Sequence, residues 1–187
     1  MRAFPPALLI ALALSPPGHT PAADAWDELA RPGAIVLIRH ATAPGVGDPP
    51  GFRLGECSTQ RNLSEEGRDE ARRLGTRFRE RGVPVGAVLT SQWCRTRETA
   101  RLMFGDAAVR DEPAFNSFFG QSAAQREAQV ARAREVLARW KGPGTLVVVT
   151  HQVNISALTG EGAASAEAVV VRAQPDGALA VRGRLQP

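Results

Sequence analysis

The sequence has no tyrosine, and aromatic residues make up only 5% of its 187 residues. Its basic residues are almost all arginine, Lys141 being the one exception. A net charge of +4 suits an anionic partner, but no basic segment carries the interleaved aromatic side chains on which nucleic-acid bases stack. We therefore expect no nucleic-acid partner, and a positive surface that attracts small anions instead.

Long hydrophobic runs are also missing, since none is long enough to span a bilayer. The longest, Ala7–Leu14, follows the basic residue Arg2 and ends at a Ser-Pro-Pro-Gly break over 15–18. Small residues on either side of Asp24 then predict cleavage before Trp26. We expect residues 1–25 to be a signal peptide and residues 26–187 one periplasmic or secreted domain without a membrane span. The alternative, an uncleaved N-terminal anchor, is disfavoured by the shortness of the run.

Cysteine is scarce, with only Cys57 and Cys94. A cysteine phosphatase loop requires arginine six residues after the nucleophile, but Leu63 and Ala100 stand at those positions. Cysteine catalysis of that type is therefore excluded. In an exported protein an even pair of cysteines predicts a disulfide, worth about 3–4 kcal/mol of stability through loop entropy. The bridge would also join the loop that carries Cys57 to the helix that starts beside Cys94.

Two apolar runs rich in β-branched residues each end at a histidine. Residues 34–38 are followed by Arg39 and His40, and residues 146–149 by Thr150 and His151. Both runs have the composition of strands buried on both faces. Ligands of open α/β sheets bind beyond the carboxyl ends of the strands, so the two histidines are expected to meet there. Cleavage of the leader removes His19 and leaves these as the only histidines of the mature chain.

Strand-like and helix-like segments alternate along the chain, which predicts a mainly parallel sheet. Two late strands flank a Pro-Asp-Gly turn and predict an antiparallel hairpin at the sheet edge. The long loop over 41–62 begins at the candidate site, and we expect it to be functional. The predicted strands are 34–38, 83–89, 146–149, 168–172 and 178–181, and the predicted helices are 65–81, 95–104, 123–140 and 154–158, with 106–120 irregular.

Four short motifs occur in order, each at a strand end or a helix start. The motifs are Arg39-His40-Ala41, Leu63-Ser64-Glu65-Glu66-Gly67-Arg68, Ser91-x-x-x-Arg95-x-x-x-Thr99-Ala100 and Thr150-His151. Together they resemble the histidine phosphatase superfamily, the phosphoglycerate mutase-like enzymes, over roughly residues 34–160.

The resemblance implies a fold and a mechanism. The fold would be a three-layer α/β/α sandwich, with His40 as the nucleophile that becomes phosphohistidine. Arg39 and Arg95 would bind the phosphoryl oxygens, and His151 would line the opposite side of the pocket. The residue chemistry agrees, because guanidinium groups grip phosphate oxygens bidentately and neutral imidazole is a nucleophile near neutral pH. No metal and no cofactor is expected, and the partner would be a small phosphate ester.

The acid that protonates the leaving group is the main open question. Members of the family often carry one after the second histidine or in the segment after the Arg95 helix, yet here Gln152 follows His151. Asp48, Glu56 and Glu112 remain as candidates. We expect an exported phosphomonoester phosphatase. A mutase is disfavoured because the main phosphosugar mutases are cytoplasmic, and a non-catalytic phospho-ligand-binding protein on the same fold is the alternative.

Overall fold

The computed structural model describes residues 24–187. The predicted signal peptide therefore lies outside the described residues, except for its last two positions. Asp24 caps the first helix, which includes Ala25. The elements are α1 (Ala25–Leu29), β1 (Ile35–Arg39), α2 (Glu65–Glu80), β2 (Val85–Thr90), α3 (Cys94–Phe104), β3 (Val109–Asp111), α4 (Ala123–Ala138), β4 (Thr145–Thr150), α5 (Gln152–Thr159), β5 (Ala168–Ala173) and β6 (Leu179–Leu185).

Six strands form one mixed sheet in the order β3-β2-β4-β1-β5-β6. The pairs β1–β4, β2–β4 and β2–β3 are parallel, whereas β5 runs antiparallel to both β1 and β6. The predicted α/β class, the mainly parallel sheet and the C-terminal antiparallel hairpin are therefore confirmed.

Helices cover both faces of the sheet. Leu74 and Phe78 of α2 pack with Val36 and Ile38 of β1 on one face. On the other face Leu137 of α4 and Ile155 of α5 pack with Ile35 and Leu37. Side chains of successive strand residues point to opposite faces, so a strand covered on both sides is apolar throughout. The sheet therefore lies between two layers of helices, which is the predicted three-layer arrangement.

The start of α2 is pressed against the loop that leaves β1. Ser64 caps the helix by accepting a hydrogen bond from the Gly67 backbone N–H at 3.1 Å. A Cβ on Gly67 would lie 2.1 Å from the Thr42 carbonyl oxygen, so only glycine permits this approach. The contact fixes the first turn of the loop that follows His40.

The segment over 106–120 is more regular than its sequence indicates. It contains the short strand β3 and two 3₁₀ helices, where we predicted irregular structure. Phe115 and Phe118 are buried in it, but Phe119 is 63% exposed. Within residues 24–187 no helix is long and apolar enough to cross a membrane.

Candidate active site

The two histidines meet at the carboxyl ends of neighbouring parallel strands. In the β1–β4 register Arg39 lies opposite Thr150, so His40 and His151 both leave the sheet at the same edge. The His40 backbone N–H donates to the Thr150 carbonyl at 2.9 Å, and the two imidazole ring centres are 5.5 Å apart. The predicted convergence of these residues is therefore present in the structure.

A backbone hydrogen bond fixes the tautomer of His40. Its Nδ1 lies 2.8 Å from the Ala41 carbonyl oxygen. A carbonyl can only accept, so Nδ1 carries the hydrogen and Nε2 keeps a free electron pair. The pKa of His40 is lowered to about 3, mainly by burial and in smaller part by the nearby guanidinium groups, while the Ala41 hydrogen bond opposes this shift. At neutral pH His40 is therefore an uncharged imidazole whose Nε2 carries a free electron pair.

His151 is held from the other side by a serine. Its Nε2 lies 2.7 Å from Ser91 Oγ, at the carboxyl end of β2. The Trp93 ring is 5.3 Å from the imidazole centre and nearly perpendicular to it. Burial places the pKa of His151 well below its ordinary value, and the nearby positive groups add to that shift. Both imidazoles are thus neutral.

The two predicted arginines lie beside the histidines. Arg39 donates through Nη1 to the Ala163 carbonyl at 3.0 Å, and Arg95, in the first turn of α3, is only 3% exposed. In the part of the chain from residue 24 onward, the buried Nε groups of both arginines have no hydrogen-bond partner. Burying charge in this way is costly, and an anion against these guanidinium groups would offset that cost.

A third arginine, Arg61, belongs to the same site and was not predicted. It lines the cavity with Arg39 and Arg95, and its Nε donates to the Gly47 carbonyl at 2.7 Å while Nη1 contacts the Ala43 carbonyl. Burial lowers the pKa of Arg61, and the charge of Arg95 lowers it further. Its position at the end of the long loop that starts at His40 is the one signal that could have indicated it.

Of the three candidate acids only Asp48 lies in the site. Its carboxylate accepts hydrogen bonds from Arg95 at 2.7 and 3.3 Å, and from Trp93 Nε1 at 3.0 Å. Glu56 pairs with Arg53 at the exposed surface, and Glu112 caps a 3₁₀ helix. Partial burial alone would raise the pKa of Asp48, but these hydrogen bonds outweigh it and lower the pKa overall.

These groups line one cavity of about 680 Å³. This volume is typical of a small-molecule binding site and far exceeds what a phosphate alone fills. Among its lining residues the only carboxylate is that of Asp48, and the other charged side chains are three arginines. Over residues 24–187 no three His, Cys, Asp or Glu side chains converge as a metal site would require.

A disulfide joins the long loop to the helix that carries Arg95. Cys57 and Cys94 are bonded across a sequence separation of 37 residues. Beside it, the Cys94 backbone N–H donates to the Gln60 side-chain oxygen at 3.0 Å. The predicted pairing is therefore present, and it links the segment that contains Asp48 and Arg61 to the start of α3.

Reduction of this disulfide is expected to lower both stability and activity. Opening the loop should cost about 3–4 kcal/mol through chain entropy, and turnover should fall because Arg61 loses its fixed position relative to Arg95. Urea unfolding and phosphatase assays with and without reductant measure the two effects. The Cys57→Ser/Cys94→Ser double variant is the control, since reductant should not change it. Two reactive thiols in the native protein would contradict the bridge, and reduction that lowers stability but spares turnover would contradict its role at the site.

Comparison with known protein families gives one match. Residues 35–114 match the model of the histidine phosphatase superfamily (branch 1). This range contains β1, the long loop, α2, β2, α3 and β3, and therefore all four charged residues that line the cavity. No curated protein sequence is significantly similar to the chain.

Solved structures with the same fold include several phosphatases. The protein histidine phosphatase SixA complexed with tungstate is 16% identical, with a TM-score of 0.55 over 82% of this chain and 97% of that chain. The mycobacterial glucosyl-3-phosphoglycerate phosphatase complexed with VO3 is 16% identical, with a TM-score of 0.55 over 80% and 97%. A phosphoserine phosphatase mutant from Entamoeba histolytica in complex with phosphoserine is 14% identical, with a TM-score of 0.57 over 81% and 95%. At these sequence identities the comparison shows that this chain and these proteins share a fold.

Proposed function

We propose that the chain, which belongs to the histidine phosphatase superfamily, hydrolyses a phosphate monoester through a phosphohistidine formed on His40. The fold and its phosphatase relatives support phosphatase activity in general. The observation that carries the finer proposal is the state of His40. Its imidazole is neutral, with Nε2 unprotonated, and it lines a cavity that three arginines also line.

The first step transfers the phosphoryl group to His40. The Nε2 electron pair attacks phosphorus, the bond from phosphorus to the ester oxygen breaks, and the leaving alcohol takes a proton. Arg39, Arg61 and Arg95 neutralise the charge on the phosphoryl oxygens, which is the main requirement of such transfers. Water then attacks the phosphohistidine, its proton goes to a base, the bond from phosphorus to Nε2 breaks, and inorganic phosphate leaves.

Asp48 is the group we assign to the proton transfers. It is ionised while Arg95 holds it, and an arriving phosphoryl group competes for the same guanidinium. Losing that hydrogen bond and gaining an anionic neighbour both raise the pKa of a carboxyl group. Asp48 would therefore take up a proton as substrate binds, donate it to the leaving alcohol, and accept one from water in the second step.

The Asp48→Asn variant tests this assignment through its dependence on the leaving group. The kcat/KM for phenyl phosphate, whose leaving group needs a proton, should fall by about 100-fold. The kcat/KM for para-nitrophenyl phosphate should change little, because it reports only formation of the phosphohistidine, in which nitrophenolate leaves without protonation. Steady-state kinetics of both esters give the ratio, with Glu56→Gln and Glu112→Gln as controls that should leave it unchanged. Equal losses of kcat/KM on the two esters would contradict proton donation by Asp48. A wild-type chain that hydrolyses neither ester would contradict the proposed phosphatase activity.

We also propose that the protein is exported and works in the periplasm or outside the cell. The sequence over residues 1–25 has the pattern of a signal peptide, and the disulfide between Cys57 and Cys94 is of a kind that persists in oxidising compartments. Mass spectrometry of the intact protein from the periplasmic fraction should give a chain that begins near Trp26. A full-length chain confined to the cytoplasm would contradict the proposal.

A further inference from the structure

The cavity is also lined by apolar side chains, two of which are strongly exposed to solvent. Val46 is 89% and Phe119 63% exposed, and they are two of the four large hydrophobic residues that stand exposed over residues 24–187. Single exposed hydrophobic residues need no explanation, but their concentration at a cavity mouth is typical of a ligand-binding surface.

An aromatic wall connects this mouth to the histidines. Phe52 stacks on Trp93 with ring centres 5.2 Å apart and planes 15° apart, and Trp93 in turn lies 5.3 Å from the His151 ring. The hydrogen bond from Trp93 Nε1 to Asp48 fixes the indole. The wall therefore has a defined orientation before any ligand binds. Planar rings placed in this way favour another planar group beside them.

The charged groups of the cavity are confined to one cluster. Asp48 bonds to the Arg95 side chain and to the Arg61 backbone N–H at 3.1 Å, and Arg39 lies beside His40 in sequence. The remaining lining side chains are uncharged, among them Val46, Phe52, Phe119 and Gln121. The cavity therefore offers one strongly cationic subsite, suited to a single phosphate, and no further charged subsite for a second phosphate, a carboxylate or an ammonium group.

We propose that the substrate is a phosphate monoester whose alcohol carries a planar apolar group, as in an aryl phosphate. Its phosphate would lie among the arginines, and its ring would lie against Phe52 and Trp93, with Val46 and Phe119 at the outer side. This inference rests on the proposed function, because it requires the phosphate to bind beside His40. Phe52 and Phe119 then determine which esters are accepted, without taking part in the reaction.

Binding of non-hydrolysable phosphonates tests the inference apart from catalysis. Phenylphosphonate should bind about tenfold tighter than methylphosphonate, a ratio that reflects burial of one ring. Calorimetry on the wild-type protein measures both dissociation constants, with inorganic phosphate as the reference anion. The Phe52→Ala and Phe119→Ala variants should each reduce the preference by about threefold or more, while methylphosphonate affinity stays the same. Leu54→Ala, an exposed hydrophobic residue of the same loop outside the cavity, should keep the full preference.

The outcomes separate this inference from the proposed function. Phosphate and both phosphonates binding with equal affinity would overturn the aryl preference and leave the phosphatase proposal standing. Failure of all three anions to bind would instead contradict the phosphate site itself. A preference for phenylphosphonate that neither phenylalanine variant reduces would overturn the assignment of the ring to this wall. If one phenylalanine variant bound methylphosphonate and phenylphosphonate equally more weakly, its fold would be disturbed. The other phenylalanine variant would then decide whether the ring lies against this wall.

Discussion

Replacing His40 by alanine is expected to reduce hydrolysis of para-nitrophenyl phosphate by at least about 1,000-fold, because the nucleophile is removed and no other group takes its place. This ester needs no protonation of its leaving group, so its turnover reports the attack on phosphorus most directly. The side chain lies at the end of β1 and lines an open cavity. The fold should therefore tolerate its removal.

Two controls distinguish loss of the nucleophile in His40→Ala from loss of the fold or of phosphate binding. The thermal unfolding of His40→Ala should resemble that of the wild type, and the variant should still bind inorganic phosphate through the arginines. The His151→Ala variant should also lose most of its activity, but it keeps the nucleophile and should still form some phosphoenzyme slowly. Turnover near the wild-type rate in His40→Ala would overturn the assignment of the nucleophile.

The Arg95→Lys substitution keeps the charge but is expected to lower kcat/KM by about 100-fold and weaken inhibition by inorganic phosphate about tenfold. Lysine presents a point charge in place of the planar guanidinium that Asp48 and the phosphoryl oxygens both use. Arg95 is also almost fully buried, and the lysine side chain cannot fill the same space. Steady-state kinetics with phosphate as inhibitor measure both changes.

The matched control for this prediction is Arg97→Lys. Arg97 lies two residues further along α3, but it pairs with Asp111 and is not part of the cavity. The expected kinetics of Arg97→Lys are those of the wild type. Unchanged phosphate inhibition in Arg95→Lys would mean that the guanidinium does not contact the bound anion.

Much of the fold and the centre of the site follow from local patterns in the sequence. β1 and β4 are predicted because continuous apolar runs are what strands covered on both faces require, and the parallel register then brings His40 and His151 together. The stripe of Ala71, Leu74 and Phe78 likewise predicts the buried face of α2. These features depend on residues that are close together in the chain, so they can be predicted from the sequence.

The missed features depend on contacts between distant segments. β3 is only three residues long and largely exposed, so it leaves no alternating pattern. Arg61 is one arginine among many, and only the folding of its loop against Gly47 and Ala43 brings it into the cavity. For the same reason the sequence could not show which of Asp48, Glu56 and Glu112 lies in the site. Asp48 reaches it only because its loop folds back onto α3, where it pairs with Arg95. Loop paths of this kind have no periodic signature.

The most direct test of the central claim is to trap the phosphoenzyme during turnover of a radiolabelled phosphate monoester and locate the label. The expected result is label bound to the denatured protein, stable in base and lost in acid as phosphohistidine is, and mapped to the peptide that contains His40. The His40→Ala variant should carry none. Steady hydrolysis without bound label, or label on another residue, would contradict a phosphohistidine mechanism on His40.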